Sequence, residues 1–420
     1  MTARAHIDDL AAFISAAPSA YHAVAESRRR LLAAGFRELD EAEPWEISGG
    51  DALFVVRDGS IVALRIPKDA DSATVFTLFG AHTDSPALKL KPKSSTSAAG
   101  FSQAGVEVYG GALFNSFLDR DLELAGRLVL RDGSTVLTRT GAYLRVPQLA
   151  VHLDRSVNPD GLKLDPQRHL QPITGLAHED ADVLGDLARA AGVDASDVVG
   201  YDVVTADTQP PAVIGARQEL FAAGRLDNLI STHAGVLALI EAEPSTISVL
   251  IANDHEEVGS RTRSGAAGPF LEDVLVRVHL ALGGDEESRR RAFSQSVLVS
   301  SDVGHSVHPN YAERHDPANR PVAGGGPILK INANQSYATD GRGAAVWHAA
   351  CRKAGVSSQD FVSNNALPCG STIGPITATR LGFTTVDVGV PILSMHSVRE
   401  LTAVTDPHDL FRAARALLSR

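Results

Sequence analysis

Two histidines and four acids stand where apolar runs give way to loops. They are His82 in GAHTDSP, Asp227 in GRLDNL, Glu256 and Glu257 in NDHEEVGS, Asp302 in SSDVGHSVHPNY and His396 in LSMHSVRE. Taken as His82, Asp227, Glu257, Asp302 and His396, they supply two imidazoles and three carboxylates. A pair of divalent ions needs such a set. One carboxylate bridges, each ion takes one imidazole and one further carboxylate, and an open position is left for water. Glu256 is left over beside them as the base that handles the water. The chemistry indicated is metal-assisted hydrolysis.

Each motif also has an ordinary alternative. His82-Thr83-Asp84 is an H-x-D, which also arises as a turn with a capping Asp. In the metal reading, Asp84 either accepts the second ring N–H of His82 or lies beneath the site and supports the other ligands. Paired acids such as Glu256-Glu257 often cap a helix or face solvent. Adjacent residues cannot ligate one small ion in the same way, so Glu257 is assigned as ligand and Glu256 as base. Asp227 is the carboxylate assigned the bridging role, although an Asp at a helix start is commonly an N-cap. His305 and His308, near Asp302, are either surface loop residues or substrate contacts. Gly324-Gly325-Gly326 is not a phosphate loop, because no G-K-[ST] follows and Pro327 interrupts the helix such a loop needs. Cys369 in PCGST lacks a readable activating partner and is taken as structural.

The elements that must position these residues are short. The runs Val75–Phe79, Ile247–Ala252, Val297–Ser301 and Thr385–Val388 read as buried strands leading into His82, the glutamates, Asp302 and His396. Helices are expected from Ile7 to Ala17 and from His22 to Ala34, with Gly35 as C-cap. Another is expected around Leu226–Ile240, and a last one opens at Asp406-Pro407 with Asp406 as N-cap. Alternating strands and helices imply an α/β fold, a mixed sheet flanked by helices, with the site outside the carboxyl ends of its strands. Short alternating strands are expected around Leu53–Val56 and Ile61–Ile66. The stretch from about Pro92 to about Glu219 differs. It holds short β-like pieces (Leu128–Leu130, Val136–Thr138, Tyr143–Val146, Val213–Ile214) and a small-residue loop at 94–100, and none of the five ligands. It reads as an inserted, mainly β domain at 92–219, within a discontinuous catalytic domain of 1–91 and 220–420.

Composition agrees with a soluble enzyme. The 420 residues are 44% hydrophobic and 21% charged, enough for two cores. No run reaches the length of a membrane span, and the N-terminus lacks the basic leader and unbroken apolar core of a signal peptide. Cys351 and Cys369 are the only cysteines, so a disulfide framework is excluded and the cytoplasm is the expected compartment. A net charge of -11 argues against nucleic acid.

With these residues assembled, the chain resembles the aspartyl aminopeptidase family of two-metal aminopeptidases. GAHTDSPALKLKP, VPQLAVHLDR, GRLDNL, NDHEEVGS, SDVGHSVHPNY, GPILKINANQSYATD, PCGSTIGPI and LSMHSVREL resemble family blocks in family order. The resemblance implies an inserted dimerisation domain and a tetrahedral dodecamer built from dimers. It implies that His82 and Asp302 hold one ion, that Glu257 and His396 hold the other, and that Asp227 bridges them before a cis peptide. It implies Glu256 as general base, Asp84 in the catalytic apparatus, and Lys330 and His308 as substrate contacts. His152 matches a histidine that reaches the neighbouring subunit's site. The expected metals are two divalent ions per subunit, zinc first, with manganese or cobalt suited to the same donors. The expected substrates are peptides with N-terminal Asp or Glu. Two departures bear on selectivity: Gln148 stands where the family often has His, and Ala366-Leu367-Pro368 where it often has an Asp. The rival readings are a broader aminopeptidase, a non-catalytic shell protein that keeps the scaffold, and an amidohydrolase acting on non-peptide amides.

Overall fold

Runs of β-branched and aromatic residues with no polar face form strands only where both faces can be covered. The computed structural model of the chain describes residues 1–177 and 181–420. In it, Phe76–His82 and Ile247–Asn253 are buried at every position. They are adjacent and parallel. Phe76–His82 also pairs in parallel with Val297–Ser301, which pairs in parallel with Thr384–Gly389. These four strands form the centre of a nine-stranded sheet. Its flanks are mixed: Ser60–Arg65 runs antiparallel to Ile247–Asn253, and Ile328–Ile331 antiparallel to Thr384–Gly389. Side chains alternate between two layers. Phe79 joins one core with Leu10, Phe13, Leu229, Trp347 and Phe411. Leu78 joins the other with Leu64, Phe270, Leu275 and Leu298. The architecture is the expected mixed α/β sheet between helices.

The first two helices, Ala3–Ala16 and Ala20–Ala33, start at Thr2 and Ser19, whose hydroxyls accept backbone N–H groups. Gly35 follows the second with φ +83°. The last helix corrects the expectation. It runs from Thr405 to Leu418, so Asp406 lies inside its first turn. The Asp406 carboxylate turns away and accepts the N–H groups of Gly324 and Gly326 at 2.7 and 3.0 Å. That also accounts for the glycine triplet, whose amides serve an internal carboxylate.

A second, six-stranded sheet has only antiparallel pairings. Its first strand is Ala87–Ala98 and its last is Val198–Asp207. It has its own core around Leu88, Val106, Leu124, Val203 and Leu187, the last from a helix at Val183–Ala191. The expected loop at 94–100 is mostly strand. Ser95, Thr96, Ser97 and Ala98 pair with Ala104, Gln103, Ser102 and Phe101. Only Ala99 and Gly100 turn, both at positive φ, as a two-residue hairpin requires. Cross-strand pairing outweighs the weak strand preference of serine and alanine. Tyr143–Val146 makes isolated bridges only. Val213–Ile214 lies in a three-stranded sheet with Leu220–Ala223 and Glu400–Ala403. That small sheet ties the chain just before Asp227 to the chain just after His396.

Candidate metal centre

Parallel strands release their carboxyl ends at one edge. His82 ends one strand, Asp302 follows the next, and Glu256 and Glu257 follow a third on a short 3₁₀ turn, Glu256–Val258. Asp227 enters from the start of the helix Leu226–Ile240, and His396 from a loop at φ +67°. The peptide between Asp227 and Asn228 is cis. The Asp227 side chain does not cap its helix, which removes the ordinary reading of that residue. Glu257 is likewise no solvent-facing acid, with only 4% of its side chain exposed.

Two triads share Asp227: His82 with Asp227 and Asp302, and His396 with Asp227 and Glu257. His82 Nε2 lies 3.2 Å from Asp227 Oδ1 and 3.6 Å from Asp302 Oδ1. His396 Nε2 lies 3.5 Å from both Asp227 Oδ2 and Glu257 Oε2. Donors about 2.0–2.1 Å from a tetrahedral ion stand about 3.3–3.4 Å apart. The observed separations fit that edge. They do not form aligned hydrogen bonds: among the described residues Asp227 Oδ1 and Glu257 Oε1 have no hydrogen-bond partner although buried. Buried carboxylate oxygens without partners are costly, and a cation shared between the donors would remove that cost. The residues present fit a metal pair.

Tautomers fit too. His396 Nδ1 donates to the Gly111 carbonyl at 2.9 Å, and His82 Nδ1 to the Asp84 carbonyl at 3.1 Å. Both rings thereby present Nε2 to the carboxylates, as ligating histidines do. Asp84 takes both positions considered for it. Its carboxylate is 3.3 Å from His82 Nδ1 and lies under the loop, accepting the N–H groups of Glu256 and Glu257 at 3.1 Å each and the Tyr109 hydroxyl at 2.7 Å.

Without ions, the charges hold one another in check. Burial disfavours charged His82, but the carboxylates of Asp227, Asp302 and Asp84 outweigh it and raise its pKa well above the usual value. His396 is raised to about 10, the carboxylates of Asp227 and Glu257 overcoming its partial burial. Burial, aided by repulsion from Asp302 and Asp84 and opposed by His82, pushes Glu256 up to about 7.

Sequence reasoning placed Lys330, His308 and His152 outside the ligand set, and the structure separates them. Lys330 is 2% exposed, with Nζ 3.8 Å from Asp302 Oδ2 and over the Tyr337 ring. His308 lines a ≈ 290 Å³ cavity with His305, Arg314, His315 and Tyr337. Its Nδ1 accepts the Asn310 N–H at 3.2 Å, so a neutral ring carries its proton on Nε2. Leu367 and Pro368, from the departing segment, line the same cavity. Cys369 sits nearby, its sulfur accepting the Ser363 hydroxyl at 3.2 Å. His152 is brought to none of these; it stands on an exposed turn between Val151 and Leu153, which are 48% and 75% exposed. Three contributors are not marked by the sequence reading: Glu400, Tyr109 and the Gly111 carbonyl. Glu400 lies within the quoted LSMHSVRE motif, four residues after His396, and that proximity was the available signal. Tyr109 ends a strand of the second sheet and Gly111 lies in the bend that follows it, and no local signal marks them.

Among the described residues, no helix is long and apolar enough to cross a membrane. Residues 13–417 match the family model for aminopeptidase I zinc metalloproteases (M18). A probable M18 family aminopeptidase 2 of Streptomyces coelicolor is 54% identical over 423 residues, covering 99% of this chain and 98% of the relative. One from Pseudomonas paraeruginosa is 44% identical over 416 residues, covering 96% and 95%. Among solved structures, the cryo-electron-microscopy structure of an Ape4–Nbr1 complex is similar at a TM-score of 0.96 and 34% identity, covering 99% of this chain and 86% of that one. The S. cerevisiae mApe1 dodecamer is similar at 0.84 and 28%, covering 98% and 95%.

Proposed function

Because the chain belongs to the M18 family of zinc metallo-aminopeptidases, we propose that it releases N-terminal Asp or Glu from peptides using two divalent ions per chain. The observation that carries the two-ion reading is the sharing of Asp227 between two histidine–carboxylate triads. His82 and Asp302 hold one ion, His396 and Glu257 the other, and Asp227 both. Zinc suits these donors, as manganese and cobalt do. Bound there, the ions would polarise the scissile carbonyl and acidify the attacking water.

The chain's own residues do the rest. Glu256, partly buried beside the ligands and hydrogen-bonded to none of their side chains, accepts a proton from the water and delivers it to the leaving amine. Nearby cations would lower its raised pKa again, keeping it a base at neutral pH. Asp84 holds the Glu256–Glu257 backbone in place and fixes the His82 tautomer. Lys330 offers a buried cation, and His308 an Nε2 donor, to an acidic side chain in the adjoining cavity. A single buried cation outweighs the acidic surface, which salt screens over about 10 Å.

The same reading takes 92–219 as an inserted dimerisation domain, with 1–91 and 220–420 as the catalytic domain. It takes the assembly as a tetrahedral dodecamer, by analogy with the dodecameric mApe1. His152 then acts on a neighbouring subunit's site, and the exposed Leu149, Val151 and Leu153 around it support an interface there. A broader N-terminal preference is the second reading, favoured by the apolar Leu367, Pro368, Phe361 and Ile392 in the cavity wall.

The test is hydrolysis of matched peptides beginning with Asp, Glu, Leu or Lys by the metal-loaded protein, with a chelated control. Chelator-sensitive release of Asp and Glu alone supports the proposal. Release of all four keeps the metal chemistry and removes acidic selectivity. No release with any metal favours a scaffold role.

A further inference from the structure

Besides Glu256, two carboxylates near the ligands, Asp84 and Glu400, lie outside both metal triads. Each accepts two backbone N–H groups instead. Asp84 does so under the two glutamates. Glu400, 2% exposed, does so elsewhere: Oε2 accepts the N–H of Asp227 at 2.9 Å and Oε1 that of His396 at 2.8 Å. Glu400 itself is fixed, because it opens the strand Glu400–Ala403 and pairs opposite Ala223. One side chain thus spans the backbones of the shared ligand and of one terminal ligand.

The two ion positions differ in how they are held. His82 belongs to a central strand with ladder partners on both sides, and 2% of its side chain is exposed. His396 belongs to no strand, sits at φ +67°, and has 30% of its side chain exposed. A non-glycine residue in that region stays there only when its surroundings hold it. Its holds are the Gly111 carbonyl on the ring, the Leu113 N–H on its carbonyl, and Glu400, which takes its backbone N–H and is the one of the three that also holds Asp227.

We propose that Glu400 is a positioning residue that fixes the separation of Asp227 and His396 and so sets the affinity of the more exposed ion position. This rests on the two-ion reading above. Loss of a group that hydrogen-bonds a metal ligand commonly changes affinity by roughly 10–100-fold.

Glu400→Gln keeps size and shape but puts an amide N–H₂ against one of the two N–H donors. Asp406→Asn is the control. Asp406 is also fully buried and also accepts two backbone N–H groups, but from Gly324 and Gly326. Metal-stripped wild type and both full-length variants are titrated with Zn²⁺ by calorimetry and with Co²⁺ by visible absorption. Wild type is expected to take two equivalents. Glu400→Gln is expected to keep the first and bind the second about 10–100-fold more weakly, with a changed Co²⁺ spectrum for that equivalent only. Asp406→Asn is expected to lower Tm while leaving both affinities in place. The proposal is overturned if Glu400→Gln binds both equivalents as wild type does, or weakens both equally, or if Asp406→Asn weakens the second as much. Wild type binding a single equivalent instead overturns the two-ion reading and the proposal together.

Discussion

The carboxyl edge of the central strands and the exposed turn at Val151–Leu153 are built on opposite terms. At the edge, strands buried on both faces deliver His82, Asp302 and the glutamates to within 4.8 Å of one another or of a shared partner. The Nδ1 atoms of His82 and His396 both donate to backbone carbonyls of the same chain. The turn lies between two strands of the second sheet, Thr135–Arg139 and Ile173–Leu176, and presents Leu149, Val151 and Leu153 at 58%, 48% and 75% exposure. Its His152 meets no site residue of its own chain. Burial on both faces lets one chain gather its own donor atoms, whereas an open apolar turn leaves surface for a second chain to cover. The contrast separates two expectations: one chain supplies every proposed ligand, and an assembly is needed for full activity.

Four measurements can break or sharpen that contrast. The largest effect is expected at the closed edge. Glu256→Gln should lower kcat by about 10²–10⁴-fold while metal content, measured by elemental analysis, stays at the wild-type level. Loss of metal in step with activity would make Glu256 a ligand and not a base. Next, Lys330→Ala should weaken kcat/KM for Asp and Glu substrates by about 1.5–3 kcal/mol, the range for hydrogen bonds to charged groups, and spare Leu substrates. Equal losses on all substrates would place Lys330 in support of Asp302 instead.

The third concerns the cost of the seal. His6 is buried against the Phe411 and His233 rings, at 5.3 and 4.9 Å, with neither ring nitrogen bonded among the described residues. Burial, then the neighbouring His233 and His408, lower its pKa from 6.5 to about 2. The unfolded chain therefore takes up a proton below pH 6.5 that the folded chain refuses. The stability from a neutral His6 is whole above that pH and falls as pH drops through it, by about 2 kcal/mol at pH 5. Urea unfolding of wild type and His6→Leu at pH 7.5 and 5.0 should show their difference shift by that amount in favour of the variant. An unchanged difference would mean His6 is accessible to protons in the fold.

The smallest effect is expected at the open turn. His152→Ala should cost about 1 kcal/mol, roughly fivefold in kcat/KM, with metal binding unchanged. Co-assembly of His152→Ala chains with Glu256→Gln chains should recover more activity than either alone, because some sites then pair an intact base with an intact neighbour. No recovery would return His152 to a role within its own chain.

Much of the closed edge was legible in the sequence. Val297–Ser301 is a strand with the expected bounds, and the other three runs leading to the site lengthen by only a residue or a few. Apolar β-branched runs ending in polar residues carry that information locally. Helices such as Phe270–Ala281, Gly341–Ala354 and Ile373–Leu381 were not read out, although Phe270, Leu271, Val274, Leu275 and Val278 have helical spacing, because such segments carry no proposed ligand and their use lies in packing elsewhere in the fold. Asp406 was misplaced for a related reason: an Asp-Pro pair resembles a helix start, but its carboxylate had a better use in the distant glycine turn.

The sequence by itself determined which residues could ligate, since His, Asp and Glu at strand ends state their donor atoms and their order. Only the tertiary structure shows which of them stand together, in two groups with Asp227 common to both. Asp227 joins both triads because strand order and the small sheet bring residues far apart in the chain to one edge. The hydrogen bonds that hold the ligands in place were likewise invisible. Glu400 sits four residues from His396, yet its bond to Asp227 spans 173 residues, and the Gly111 carbonyl reaches His396 across 285. Donor chemistry is a property of a side chain, but distance between donors is a property of the fold.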